Sequence, residues 1–156
     1  RKGFFKRLPQ VVQHARKYNE RLLVANFDVN GLKILNDKYG HDAGDFAISA
    51  VGEVILNLPY DVKVCGRFGG DEFALCVAVK SSNRFFFTTK AIEAKFLENL
   101  ENAFDEYNKK SDKEYSISSS VGVVVSEAHN FDFLKSYKIA DKKMYRMKEK
   151  SKLRRK

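Results

Sequence analysis

Apolar residues recur along the chain in two rhythms, one helical and one strand-like. Phe5, Leu8, Val11, Val12 and Ala15 fall at helical spacing between Phe4 and Tyr18. Pro9 lies inside that pattern, so the helix is expected to begin or kink there. Leu22 to Phe27 is a short, mostly apolar run that reads as a buried strand ending at Asp28. Leu32, Leu35 and Tyr39 predict a second helix stopped by Gly40. From His41 to about Leu58, Phe46, Ile48, Val51, Val54, Ile55 and Leu58 predict a third, ended by Pro59. Two β-rich runs flank Gly69-Gly70 within about Asp61 to Val79 and predict a hairpin with a tight turn, its glycines supplying positive φ.

A polar break at Lys80 to Asn83 precedes a long helical pattern from about Phe85 to Tyr107, marked by Ile92, Phe96, Leu100 and Phe104. Glu114 to Ser126 reads as a strand, and Gly122 inside it suggests a bulge or a close approach by backbone or ligand. Phe131 to Lys152 predicts a last helix with Leu134, Tyr137, Ala140, Met144 and Met147 on one stripe. The order α-β-α-α-β-β-α-β-α places the chain in the α+β class. A central, mainly antiparallel sheet flanked by helices is the economical layer arrangement.

Composition narrows the function classes. A length of 156 residues, 44 % of them apolar, supports one domain with its own core. There is no apolar run of membrane-spanning length, and the first residues do not resemble a signal peptide. The absence of an initiator Met predicts a fragment of a longer protein. Cys65 and Cys76 sit in the two arms of the expected hairpin but not opposite each other, and read as small buried hydrophobes of a reduced, cytoplasmic protein. The net charge of +9 is concentrated at the end, where Lys142 to Lys156 holds nine Lys or Arg and one acid. No basic strand face interleaved with aromatics appears, so no nucleic acid is expected, and no membrane contact by this domain itself. The tail reads as a solvated helix end, with a phosphate-binding or anionic-membrane patch as the alternative.

The candidate chemistry centres on Arg67-Phe68-Gly69-Gly70-Asp71-Glu72-Phe73. Two adjacent acids at a turn between strands are poor sheet formers. A divalent cation accounts for them, because Mg²⁺ takes hard oxygen ligands from one or two carboxylates plus substrate phosphates; a solvated turn with surface acids is the competing reading. Asp28, at the end of a buried strand and before a helix, is a second candidate, or a helix cap. Lys33 and Asn36, three apart, share a helix face.

Taken together, these blocks resemble the GGDEF family of diguanylate cyclases. Gly69-Gly70-Asp71-Glu72-Phe73 is similar to the family signature. Asp28, Lys33, Asn36, Asp37, Gly40, His41, Gly44 and Asp45 are in register with a second block. Ser120-Val121-Gly122-Val123 and Ala140-Asp141…Tyr145…Lys148 match two later ones. The resemblance covers nearly the whole chain as a single GGDEF domain, beginning just after the family's Asp-x-Leu-Thr-Gly-Leu segment. It implies a ferredoxin-like sheet related to nucleotidyl cyclases. It also implies condensation of two GTP to cyclic di-GMP and two pyrophosphates between two domains facing each other as a transient homodimer, with sensory domains in a parent chain, whether free or anchored to a membrane.

By that resemblance Asp28 and Asp71 bind Mg²⁺ (or Mn²⁺), with the carbonyl of Val29 as a third ligand. Gly69 and Gly70 leave room for the nucleotide, and Lys33 stabilises phosphate charge. Asn36 and Asp45 read guanine, and His41 lies beside the nucleotide. Asp71 or Glu72 takes the proton from the attacking hydroxyl, and Lys148 reaches the terminal phosphates. The alternative is a non-catalytic module that binds GTP or cyclic di-GMP. Three departures stand out. Tyr60 and Lys63 occupy the positions of the family's inhibitory Arg-x-x-Asp motif, so feedback by product is not expected. Ser151-Lys152 replaces Gly-Arg, which weakens the case for Lys152 as a phosphate contact, since lysine lacks the bidentate fork. Asn30 replaces an acid outside the positions assigned to metal.

Overall fold

The computed structural model describes residues 1–80 and 88–153, the side chains of 151–153 excepted. Nine elements follow in the expected order: α1 (Lys2–Lys17), β1 (Arg21–Val29), α2 (Leu32–Tyr39), α3 (His41–Leu56), β2 (Lys63–Arg67), β3 (Glu72–Val79), α4 (Thr89–Lys110), β4 (Ser119–Glu127) and α5 (Phe133–Leu153). The expected start of α4 at Phe85 lies outside the described residues. Within them, α4 is opened by Thr88, whose Oγ1 accepts the Ala91 N–H at 3.2 Å.

The four strands are ordered β2-β3-β1-β4, and every pairing is antiparallel. β1 is the central strand, flanked on both sides, and all but its first residue are buried. That explains why it reads as a continuous apolar run and not as an alternation. Its odd-numbered residues Leu23, Ala25, Phe27 and Val29 face a core built with α3, α4 and the face of β4 bearing Val121, Val123 and Val125. Its even-numbered residues Leu22 and Val24 face the second core, which α1 and the first turn of α5 close through Phe4, Leu8, Val11 and Phe133. The result is three layers, with α1 and α5 on one side of the sheet and α2, α3 and α4 on the other.

Three expectations need correction. α1 does not start at Pro9; it runs unbroken from Lys2, because the backbone of Phe5 already bonds to Arg1 and Phe4 is a buried anchor. On α5 the buried stripe includes Phe133, Ala140 and Met144, whereas Leu134 and Met147 are exposed. The helix packs on the face of β4 at Gly122, and the contact line is narrower than a sequence stripe suggests. The turn glycines differ as well: positive φ occurs at Gly31 and Gly40, not at Gly69 or Gly70. The turn runs through Gly69-Gly70-Asp71, with the N–H groups of Phe68 and Gly69 both directed at the Glu72 carbonyl, at 2.8 and 3.4 Å.

Gly122 causes no bulge, since the β1–β4 register runs without a break from Arg21↔Glu127 to Val29↔Ser119. Its role is the close approach: a Cβ there would collide with the Ala140 carbonyl and the Met144 N–H of α5. The cysteines are free and offset by one pair, Val64↔Cys76 and Cys65↔Leu75. Cys76 is fully buried and Cys65 partly so.

Candidate active site

Two groups of side chains form at the carboxyl end of β1. The first is acidic. Asp28, on the α5 side of the sheet and 5 % exposed, is the direct register partner of Glu72 on β3. Asp71 sits in the adjoining turn, and its carbonyl accepts the Val29 N–H at 3.1 Å, which fixes the turn against the end of β1. Asp141 of α5 borders the same recess of about 550 Å³, together with Lys142, Tyr145, Arg146 and Lys148. Lys148 donates to both carboxylate oxygens of Asp28, at 2.6 and 2.7 Å. Burial pushes the Glu72 carboxyl above the usual range, the neighbouring acids Asp71, Asp141 and Asp28 push it further, and Lys148 opposes them.

The turn is open above its glycines. A Cβ at Gly70 would meet nothing within 4 Å, and one at Gly69 would meet only Glu72. Arg67 closes the turn from below, its Nε and Nη2 donating to the Gly70 carbonyl at 3.0 and 2.6 Å.

The second group lies along α2 and at the α2–α3 junction, which falls at Gly40. Lys33 is exposed near the start of α2, with Asn36 one turn on. Gly40 terminates α2 with a bond from its N–H to the Asn36 carbonyl at 2.9 Å, and α3 begins at His41. His41 and Asp45 are exposed there. The Asn36 carboxamide packs so closely on Gly44 that any side chain at 44 would overlap it. Its Oδ1 is buried and has no hydrogen-bond partner among the described residues. A buried acceptor of this kind calls for an external donor. The structure thus groups Asn36, His41 and Asp45 on one side and Asp28, Asp71, Glu72 and Lys148 on the other. The side chain of Lys152 lies outside the described residues.

A family model described as "Diguanylate cyclase, GGDEF domain" matches residues 1–154. The chain belongs to the GGDEF family. Over 83 residues, 53 % of this chain and 24 % of the relative, it is 36 % identical to the diguanylate cyclase DgcP of Escherichia coli. The GGDEF domain of YfiN (TpbB) from Pseudomonas aeruginosa superposes with a TM-score of 0.74 at 25 % identity, over 96 % of this chain and 84 % of that one. The GGDEF domain of DgcB from Caulobacter crescentus, solved in complex with c-di-GMP, shares the fold with a TM-score of 0.72 at 22 % identity, over 96 % and 84 % of the two chains. The chain spans well under half the length of the curated relatives it matches first, 24 %, 39 % and 16 % of three of them.

Two of the departures of this GGDEF domain, at Tyr60 with Lys63 and at Asn30, involve side chains with local partners. The hydroxyl of Tyr60 accepts from Asn99 Nδ2 at 3.4 Å and its ring lies 5.8 Å from that of Phe96, while Lys63 Nζ donates to the Leu58 carbonyl at 2.5 Å. Both side chains are engaged in local packing. Asn30 uses both ends of its amide on the neighbouring segment, donating to Ser118 Oγ at 3.1 Å and accepting from Ser120 Oγ at 2.7 Å. A carboxylate there could only accept. Asn26 and Asp141 are additions that carried no site role in the sequence: the fully buried Asn26 donates through Nδ2 to Asp141 Oδ1 at 2.9 Å.

The donor set at the acidic group suits a hard divalent cation. Among the described residues no three acidic, His or Cys side chains converge on one point. Asp28 and Asp71 are the carboxylates at the end of β1 that could hold such an ion, which would need further oxygens from outside the chain to fill its shell.

Proposed function

We propose that this GGDEF domain is a diguanylate cyclase that joins two GTP molecules into cyclic di-GMP and releases two pyrophosphates. Two copies facing each other would each present one GTP. In each half-reaction a 3′-oxygen bonds to the opposing α-phosphorus, the bond to pyrophosphate breaks, and the hydroxyl proton passes to a carboxylate. The observation that carries this reading is the pairing of Asp28 with Glu72 across β1 and β3, beside Asp71 and beneath the open space over Gly70.

Asp28, Asp71 and the Val29 carbonyl would hold Mg²⁺ or Mn²⁺, whose charge would offset that of the triphosphate. Asp71 or Glu72 would take the proton from the attacking hydroxyl; in the metal-free protein burial and the neighbouring acids raise the proton affinity of Glu72. Gly69 and Gly70 would admit the phosphates. Lys33, exposed near the start of α2, would stabilise charge developing on them. Lys148, now on Asp28, would turn to the same phosphates, and Lys152 would add charge further along α5.

Guanine would sit at the α2–α3 junction beside His41. Its N1–H and N2 amine would meet Asn36 Oδ1 and the Asp45 carboxylate. Adenine leaves those acceptors unpaired, a mismatch that discriminates strongly.

The test is incubation of the chain, fused to a dimerising coiled coil, with GTP and Mg²⁺ and separately with ATP, followed by chromatography with mass detection. Cyclic di-GMP from GTP and no product from ATP is expected. Failure of the dimerised protein to turn over GTP while still binding it would replace this reading with that of a non-catalytic nucleotide-binding module.

A further inference from the structure

Charge in this domain is sorted by layer. α1 carries five Lys or Arg and no acid, and α5 carries eight against Asp141 and Glu149, so the two helices on one side of the sheet have a net charge of +11. The opposite layer, α2 with α3 and α4, carries six cations and nine acids, a net charge of −3. Counting along the chain hides this, because the five cations of α1 are cancelled by acids that the fold places elsewhere.

The basic layer presents its charge outward. Some of its cations are engaged: Lys148 with Asp28, Lys143 with Glu93, and Arg16 with the Ala128 carbonyl. Lys2, Lys6, Arg7, Lys135, Lys138 and Lys142 are exposed and take part in no ion pair among the described residues. Neither acid of α5 is fully exposed, and Asp141 is tied to Asn26. Apolar side chains stand among the cations: Phe5 is 39 % exposed, Leu134 61 % and Ile139 43 %. The rings of Phe5 and Phe133 lie 5.6 Å apart, which brings the first turns of the two helices together, and Phe5 and Leu134 border one recess.

We propose that the face made by α1 and α5 docks on an anionic lipid bilayer, its lysines and arginines at the headgroups and Phe5, Leu134 and Ile139 dipping into the interface. Two helices lying side by side on a sheet make a broad face, which matches a bilayer. Basic helices with exposed apolar side chains are the combination that partitions to anionic membranes. A nucleic acid would use the cations but leave the three apolar side chains without a role. The proposal does not depend on the catalytic reading: Lys142 and Lys148 border the candidate recess, whereas Phe5, Lys6, Arg7, Lys135, Lys138 and Ile139 carry no role in it.

The experiment is flotation of the purified chain with vesicles of phosphatidylcholine alone or with about 30 mol % phosphatidylserine, in roughly 0.1 M salt. Binding to the anionic vesicles only, lost at several times that salt, is expected. Each cation removed should weaken binding about fivefold, so Lys6→Glu with Arg7→Glu, Lys135→Glu and Lys138→Glu should lower it at least a hundredfold. Circular dichroism verifies folding, and Lys135→Ala with Lys138→Ala is a milder second variant with an expected loss of at least tenfold. Reversing Lys38, Lys90, Lys95 and Lys109 in the opposite layer should leave most of the binding. Equal binding to both vesicle types, no binding to the anionic ones, or an undiminished α1–α5 variant would overturn the proposal. Tighter binding to a DNA duplex than to the anionic vesicles at the same salt would assign the face to nucleic acid instead.

Discussion

At the residue scale the site combines stability costs with chemical use. Glu72 has its carboxyl raised by burial and by three neighbouring acids. For an acid with a raised value, protonation favours the folded state. That contribution is complete below the ordinary glutamate value of 4.5 and is lost as pH rises through the folded-state value. At neutral pH the ionised Glu72 therefore weakens the fold. Glu72→Gln should raise the melting temperature at pH 7 in metal-free buffer, with the gap closing on acidification below 4.5, as read by thermal denaturation at a series of pH values. An unchanged or lower melting temperature at pH 7 would contradict this electrostatic picture.

Lys148 carries the opposite prediction. Asp28 has a side chain only 7 % exposed, and Lys148 lies on both of its oxygens. Lys148→Met should cost about 2 kcal/mol, less than a fully buried pair because lysine is partly solvated. Adding Asp28→Asn should recover part of that loss, a coupling that a double-mutant cycle in urea would measure.

Individual residues were legible in the sequence to differing degrees. Asp28, Asp71 and Glu72 stood out because acids at the ends of apolar runs contradict strand propensity. The Asn36 carboxamide packed on Gly44 did not, because nothing in the spacing says which amide atom is left without a partner. Asn26 reads in the sequence only as part of an apolar run, and the Asn26–Asp141 bond joins residues 115 positions apart.

At the scale of elements, all nine were legible from periodicity, and their misplaced details have common causes. Pro9 reads in the sequence as the start of a helix or a kink, but the burial of Phe4 and Leu8 before it and of Val11 and Ala15 after it keeps α1 continuous. The stripe on α5 was too broad because sequence spacing does not reveal how closely a helix approaches a strand. Gly122 sets that approach. Gly122→Val should drive α5 away from β4 and cost about 3 kcal/mol or more, the range of an overpacked core site worsened by a collision with backbone. Denaturant unfolding measures it. Because Lys148 and Asp141 ride on α5, the same variant should lose activity even under conditions where it remains folded.

At the scale of the whole molecule, one chain offers half of the proposed reaction. The activity per chain should therefore rise with concentration and level off, and the coiled-coil fusion should abolish the dependence. A rate per chain independent of concentration in the unfused protein, at dilutions where it is monomeric, would contradict the two-domain arrangement. The layered antiparallel fold was legible from the order of elements alone. The sorting of charge between the two helical layers was not, since it depends on which helices share a face.

The most direct test of the central claim is the yield of cyclic di-GMP from GTP and Mg²⁺ by the dimerised chain and its Asp71→Asn variant, measured at matched concentration with melting temperatures recorded for both. The account predicts product from the first and a loss of at least a hundredfold in the second, a typical cost for a residue acting in the chemical step, without unfolding. Undiminished turnover in a folded Asp71→Asn variant would contradict the assignment of the acidic group as the active site.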